Sequence, residues 1–75
     1  MGRSAPNALA LGRAIKAVRE ERGMTQMQLA AATGFTQSWI SHVEHGRRNV
    51  SWSNIGRLAE GLGVRVSELA GRAED

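Results

Sequence analysis

Two helix-start signals, Thr25 and Thr36, stand eleven residues apart, with Gly34 just before the second. That spacing leaves room for one short helix and a tight turn before the next helix begins. Each start carries the same chemistry. Thr25 can accept from the free N–H groups of a first helical turn, and Gln28 can reach back to complete a capping box. Met24 and Leu29 flank the first start as a hydrophobic staple, and Phe35 and Ile40 flank the second. Ala30 is small where the second helix must cross closely. Gly34 can take the positive φ that reverses the chain.

Helix, tight turn and helix in this order make the pattern of a helix-turn-helix, whose second helix is built to lie in the major groove of DNA. The rest of the chain supplies its support. Asn7 caps a first helix to about Arg22, in which Leu11, Ala14, Ile15 and Val18 fall on one face at the helical period. Gly23 ends it. The second helix is expected over 26–33 and the third over 37–45, closed by Gly46. A basic loop follows. Ser51 then caps a fourth helix whose inner stripe is Ile55, Leu58, Ala59 and Leu62, with Val50 and Ile55 as its staple. Gly61 and Gly63 are expected to break it, Val64 to Val66 to connect onward, and Ser67 to cap a short last helix through Gly71, anchored by Leu69. The reading is all-α with five helices: a flexible arm at 1–6, a helix-turn-helix domain at 7–71 and a C-terminal tail at 72–75.

Composition narrows the function. At 75 residues there is one small domain, and without cysteine neither a disulfide nor a thiolate metal site can staple it. That fits a cytoplasmic protein. No apolar run approaches the length of a membrane span, and nothing at the start resembles a signal peptide. The low aromatic content argues against a base-stacking platform for single strands. The net charge is +3 but unevenly spread: residues 1–57 carry eight positive and three negative groups, residues 58–75 two positive and four negative. The C-terminal part is therefore not the part that meets phosphate.

In the third helix Gln37, Ser38, Ser41 and His42 share one side, opposite Ile40 and Val43, because residues four apart project together. Amide, hydroxyl and imidazole groups in a row suit the reading of base edges: Gln pairs with adenine N6 and N7, Ser bonds several bases, and a His N–H donates to guanine. Gln26 adds a side-chain amide to the exposed N–H groups of a helix start, a combination that suits a phosphate, and Thr36 at the next helix start is placed with it. Arg47, Arg48 and Asn49 lie in the loop where a DNA backbone would pass. Arg19 and Glu44 are expected to pair and tie the first helix to the third. Trp39 is expected to pack beside the reading face, and Trp52 to serve either the core edge or a subunit interface. A catalytic grouping of Ser38, His42 and Glu44 fails, because Glu44 lies about 200° further round the helix. His42 and His45 alone make no metal cluster.

In these residues the chain resembles the phage repressor and Cro type of helix-turn-helix, the Xre family. The resemblance runs from about Leu11 to Leu69 through Leu11-Gly12, Ile15, the stretch from Val18 to Gly23, Thr25-Gln26, Leu29-Ala30, Gly34, Gln37-Ser38, Ile40-Ser41, Glu44, Gly46-Arg47, Leu58-Ala59, Leu62 to Val64 and Glu68-Leu69. It implies a five-helix, lambda-repressor-like DNA-binding domain, with Gln26 as the phosphate amide, Gln37, Ser38 and His42 at base-reading positions, and Arg19 with Glu44 as a structural ion pair. Val50 departs from the pattern, where proline is frequent, which implies a looser loop. The chain ends at Asp75, so a small autonomous regulator is expected rather than a large ligand-gated repressor.

The resemblance further implies a homodimer on a two-fold symmetric operator; its interface is sought at Trp52, Val64, Val66 and Leu69, residues that could equally all belong to the core. The expected function is a sequence-specific transcriptional regulator of double-stranded DNA, with no cofactor, no metal and no catalysis, and with RNA polymerase as a contact if it activates. The alternative is an antitoxin-like module acting mainly on a protein partner such as a toxin.

Overall fold

The computed structural model describes residues 7–74; the arm expected at 1–6 lies outside them. Five helices follow one another: α1 (Ala8–Glu21), α2 (Gln26–Thr33), α3 (Gln37–Glu44), α4 (Trp52–Leu62) and α5 (Val66–Glu74). No strand occurs among the described residues. The first four helices begin where a side-chain cap stops the chain from continuing extended. Asn7, Thr25, Thr36 and Ser51 each accept from a backbone N–H three residues on. At Thr25 the box is reciprocal, Gln28 accepting from the Thr25 N–H at 2.8 Å.

Each helix turns its apolar stripe inward. Leu11, Ile15 and Val18 of α1, Leu29 of α2, Ile40 and Val43 of α3, Ile55 and Leu58 of α4 and Leu69 of α5 are the large side chains sealed from solvent. Burying a side chain of this size is worth roughly 1.5–3 kcal/mol, so this shared interior is what outweighs the ordering of eight- and nine-residue helices too short to persist alone. α1 lies against α3 and α5, while α2 lies against α3 and α4. The α1–α3 crossing is close because Gly12 has no side chain: a Cβ there would stand 2.2 Å from the Val43 carbonyl oxygen.

Three expectations about boundaries are corrected. Gly61 does not break α4 but sits inside it, where its missing Cβ admits Thr33 Cγ2 of α2. The helix ends instead at Gly63, in the left-handed conformation at φ 73°. Ser67 is not a cap, since α5 already begins at Val66. Finally, residues 72–74 are helix rather than tail: α5 runs to Glu74, Ala73 is buried, and Arg72 bonds both carboxylate oxygens of Glu21 at 2.6 Å. Gly71 did not stop the helix, because burial of Ala73 one turn beyond Leu69 and a bidentate partner for Arg72 favour its continuation.

Candidate nucleic-acid interface

α2 and α3 are joined by Gly34, Phe35 and Thr36. Gly34 closes α2 at φ 81°, its N–H donating to the Ala30 carbonyl at 2.9 Å, a conformation that side-chain-bearing residues rarely adopt. Thr36 then opens α3, its hydroxyl oxygen accepting from the Trp39 N–H at 3.1 Å. The hydroxyl proton remains available to an outside acceptor.

Within α3 the two sides differ sharply. Ile40, Val43 and Glu44 are buried, while Gln37, Ser38 and His42 are exposed. Ser41 is only half-buried at the margin of this face, and its carbonyl accepts from the His45 ring Nδ1 at 2.7 Å. The row expected to read bases is thus three exposed side chains and one partly covered. The loop after α3 starts with Gly46, and the Arg47 N–H returns to the His42 carbonyl at 2.9 Å. Arg47, Arg48 and Asn49 are all exposed. Val50 behind them is buried and anchors the loop to the core.

A buried polar cluster sets α3 against α1 and α2. Arg19 Nε donates to Glu44 Oε2 at 2.6 Å, and Nη2 donates to Oε1 at 3.0 Å. Arg19 Nη1 also donates to the Met24 carbonyl at 2.7 Å. The bond to Glu44 raises the guanidinium above its ordinary value and fixes the charge. Gln26, half-buried, donates from Nε2 to Glu44 Oε1 at 3.0 Å. Its amide is therefore held by the ion pair at the start of α2, with one of its two N–H groups spent inside the protein. Glu44 is fully engaged by these partners on the inner side of α3. Ser38 and His42 stand on the outer side, so the three form no catalytic set.

One feature carries no signature in the sequence. Arg57 of α4 lies over the Phe35 ring, its guanidinium carbon 4.1 Å from the ring centre, and donates from Nη2 to the Thr33 carbonyl at 2.6 Å. Phe35 in turn stacks on Trp39, with ring centres 4.1 Å apart and planes inclined by 23°. Trp39 is therefore partly buried by packing. Phe35 and Arg57 are far apart in sequence, and only the approach of α4 to the turn joins them.

The residues suggested for a subunit interface separate. Trp52 and Val66 are exposed, at 47% and 37%, and Val64 is half-buried. As an interface residue Leu69 is corrected: it is completely buried, because Leu69 and Ala73, four apart on α5, share the face turned to the core. It has no surface to offer a second chain. Among the described residues no group of acidic, His or Cys side chains could hold a metal ion, and no helix is long and apolar enough to cross a membrane.

Fold and site together describe a helix-turn-helix protein with an exposed polar helix beside a basic loop. Residues 10–71 match the helix-turn-helix domain family. The chain is 38% identical over 63 residues to the immunity repressor protein of Bacillus phage phi105, covering 84% of this chain and 44% of the repressor. It is 36% identical over 59 residues to the control protein C.MunI of a Mycoplasma species, covering 77% of this chain and 80% of C.MunI. Among solved structures, the restriction-modification controller protein C.AhdI from Aeromonas hydrophila superposes with a TM-score of 0.80 at 35% identity, covering 83% of this chain and 94% of the controller. The chain belongs to the helix-turn-helix family of DNA-binding transcriptional regulators. It spans less than half the length of the phage repressor but most of each of the two control proteins.

Proposed function

We propose that this regulator reads a specific sequence in double-stranded DNA with α3 in the major groove and works as a dimer on a two-fold symmetric operator. The observation that carries the reading is the division of α3. Its inner side is locked into the core and the Arg19–Glu44 pair, while Gln37, Ser38 and His42 stand in solvent as hydrogen-bonding groups. A rigid helix with a free polar row suits base-edge recognition, because bidentate pairing tolerates little movement.

Around that row stand groups suited to phosphate. Gln26 and Thr36 sit at the N-termini of α2 and α3, where unpaired N–H groups and the helix dipole favour an anion. Arg47, Arg48 and Asn49 extend the contact beyond the end of α3. Ser41 contributes at the margin of the base-reading row. Phosphate contacts fix register and supply salt-dependent affinity, and the base-edge contacts supply the sequence.

One eight-residue helix contacts few base pairs, so a dimer placing one α3 in each half-site supplies the remaining affinity. Trp52, Val66 and the half-buried Val64 are the apolar side chains available to such an interface. Occupying a promoter would repress it, in keeping with the likeness to a phage immunity repressor.

The test is selection of bound sequences from a random duplex library at near-physiological salt. Enrichment of a two-fold symmetric motif supports the reading, and enrichment of nothing by the folded protein refutes it. On the enriched duplex, Gln37→Ala and His42→Ala should each cost roughly 1–3 kcal/mol and relax preference at one base position. Arg47→Ala should weaken all duplexes alike and reduce the salt slope by about one. Equal losses on specific and random DNA for Gln37→Ala would remove that residue from the reading set.

A further inference from the structure

The turn that aims α3 is gripped from behind by α4. Two α4 residues one helical turn apart take part. Gly61 leaves the space that Thr33 Cγ2 fills, and Arg57 reaches past Thr33 to the turn itself. The Thr33 hydroxyl bonds the Leu29 carbonyl at 2.8 Å, and its oxygen lies 3.4 Å from the Phe35 N–H. The Thr33 carbonyl is one of the terminal acceptors that a helix leaves unsatisfied, and a cation there also meets the negative end of the α2 dipole. Arg57 supplies that cation. The flat guanidinium then covers Phe35, and Phe35 covers Trp39 on the first turn of α3.

We infer that Arg57 is a positioning residue for DNA reading: through the Arg57–Phe35–Trp39 stack it fixes the orientation of the α3 turn that carries Gln37 and Ser38, and so sets sequence discrimination without touching DNA. The inference rests on the reading of α3 as the base-contacting helix. Its logic is geometric. α3 is held at its middle by Ile40 and at its C-terminal end by Val43 and Glu44. Of its first three residues Gln37 and Ser38 are exposed and Trp39 packs inward, against the core and on Phe35, so the stack is a tertiary contact that steadies that end. Without it the helix start can roll about the anchored part, which moves Gln37 and Ser38 most. Bonds to a base edge are lost by displacements on the order of 1 Å, whereas charge attraction to phosphate is barely altered.

Arginine is required by this arrangement and lysine is not equivalent. Lysine can donate to the Thr33 carbonyl and keep the charge, but it has no planar face to lay on Phe35 while doing so. Arg57→Lys therefore separates the stack from both the charge and the helix-end bond.

The experiment takes the native full chain as the parent for DNA binding, and reads Trp39 emission in the same proteins carrying Trp52→Phe, which leaves Trp39 as the single tryptophan. Arg57→Lys and Arg57→Ala are compared with this parent. Affinity is measured for the duplex the parent enriches and for random duplex, across a range of salt, together with thermal melts and Trp39 emission. The expected result for Arg57→Lys is a folded protein with random-duplex affinity and salt slope unchanged. Its affinity for the enriched duplex falls by about tenfold, the scale of one lost base contact, and the Trp39 emission moves to the red. Arg57→Ala should show the same loss or a larger one.

An Arg57→Lys protein that keeps both its discrimination and its Trp39 emission overturns the positioning role. So does Arg57→Ala with equal losses on both duplexes and a salt slope lower by about one, which would make Arg57 a phosphate contact. Should Arg57→Ala fail to fold, Arg57→Lys decides alone. A parent that enriches no sequence overturns the base-reading assignment before any Arg57 variant is made. The Trp39 emission of Arg57→Lys then still separates a stack that holds α3, shown by a red shift, from one that does not.

Discussion

Replacing Arg19 with methionine tests whether the cluster beneath α3 is a structural fastening. Methionine keeps most of the alkyl stem, so the loss reports mainly on the guanidinium. In the native protein the Arg19 and Glu44 side chains are only 10% and 2% exposed, and they share two hydrogen bonds. Removing the cation leaves a carboxylate out of reach of water, with the Gln26 amide as its remaining donor. Breaking a buried pair from one side costs about 3–5 kcal/mol. A chain of this length has about 4–11 kcal/mol of stability in all, so Arg19→Met should remove a large part of it. At about 4–8 °C per kcal/mol for a domain this small, the midpoint of thermal unfolding should fall by about 12 °C or more. Glu44→Leu should cost a similar amount by stranding the guanidinium. The double variant Arg19→Met with Glu44→Leu should recover most of the loss, because two apolar side chains need no partners. Urea unfolding of the four proteins closes the cycle, with a coupling of about 3 kcal/mol expected and unchanged m-values. A cost below about 1 kcal/mol for Arg19→Met, or single effects that simply add, would refute the argument. The double variant should nonetheless bind DNA more weakly than the native protein, since Gln26 loses the carboxylate that holds its amide.

Further predictions concern the helices. Gly61→Ala should destabilise by about 1–3 kcal/mol, because a Cβ would stand 2.5 Å from Thr33 Cγ2 on a side chain already fixed by hydrogen bonds. Gly56→Ala and Gly71→Ala, where a Cβ meets nothing within 4 Å, should each stabilise by about 0.5–1 kcal/mol, and thermal melts distinguish the two classes. Thr25→Ala should cost about 1 kcal/mol through loss of the capping box, measured by urea unfolding. The Arg72 guanidinium bonded to Glu21 holds that carboxyl below the usual glutamate range. The folded pKa is the lower one, so the stabilisation is complete above the ordinary glutamate value and is lost as pH falls through the depressed one. A melting-temperature series against pH should therefore show Glu21→Gln below the native protein at neutral pH, with the difference closing in acid.

What the sequence revealed and what it hid follow from the range over which the interactions act. Asn7, Thr25, Thr36 and Ser51 act on backbone three residues away, so the starts of four helices could be read directly. The inner stripes could be read as well, because a periodic apolar face has few alternatives in a chain with one core. Both ends of the fifth helix differ from the sequence expectation for the opposite reason. Its start follows Arg65, a side chain with no acceptor to offer as a cap, and its extension past Gly71 rests on the burial of Ala73 where α5 lies against α1 and on Arg72 meeting Glu21 across 51 residues. Leu69 belongs to the core because it shares the buried face of α5 with Ala73. Gly61 looks like a helix breaker in sequence because its purpose, the space it leaves for Thr33, belongs to the neighbouring helix.

The site divides along the same line. The polar row of α3 was visible because its four residues are helix neighbours, and the pairing of Arg19 with Glu44 could be anticipated from inward placement and the family pattern. Phe35 gave only half its role. As a local feature it is a staple before α3, but its two faces are claimed by Trp39, four residues on, and by Arg57, from another helix. Local rules assign such a residue to one helix. The physical consequence is that the orientation of α3 depends on both ends: a charged, fully bonded anchor at Glu44 and an aromatic stack at Trp39. The first is directional and intolerant of substitution. The second is held by a cation–π contact worth about 0.5–2 kcal/mol, enough to aim the first turn but a small part of the stability of the fold. Sequence discrimination should therefore respond more to changes at Arg57 and Phe35, and overall stability more to changes at Arg19 and Glu44.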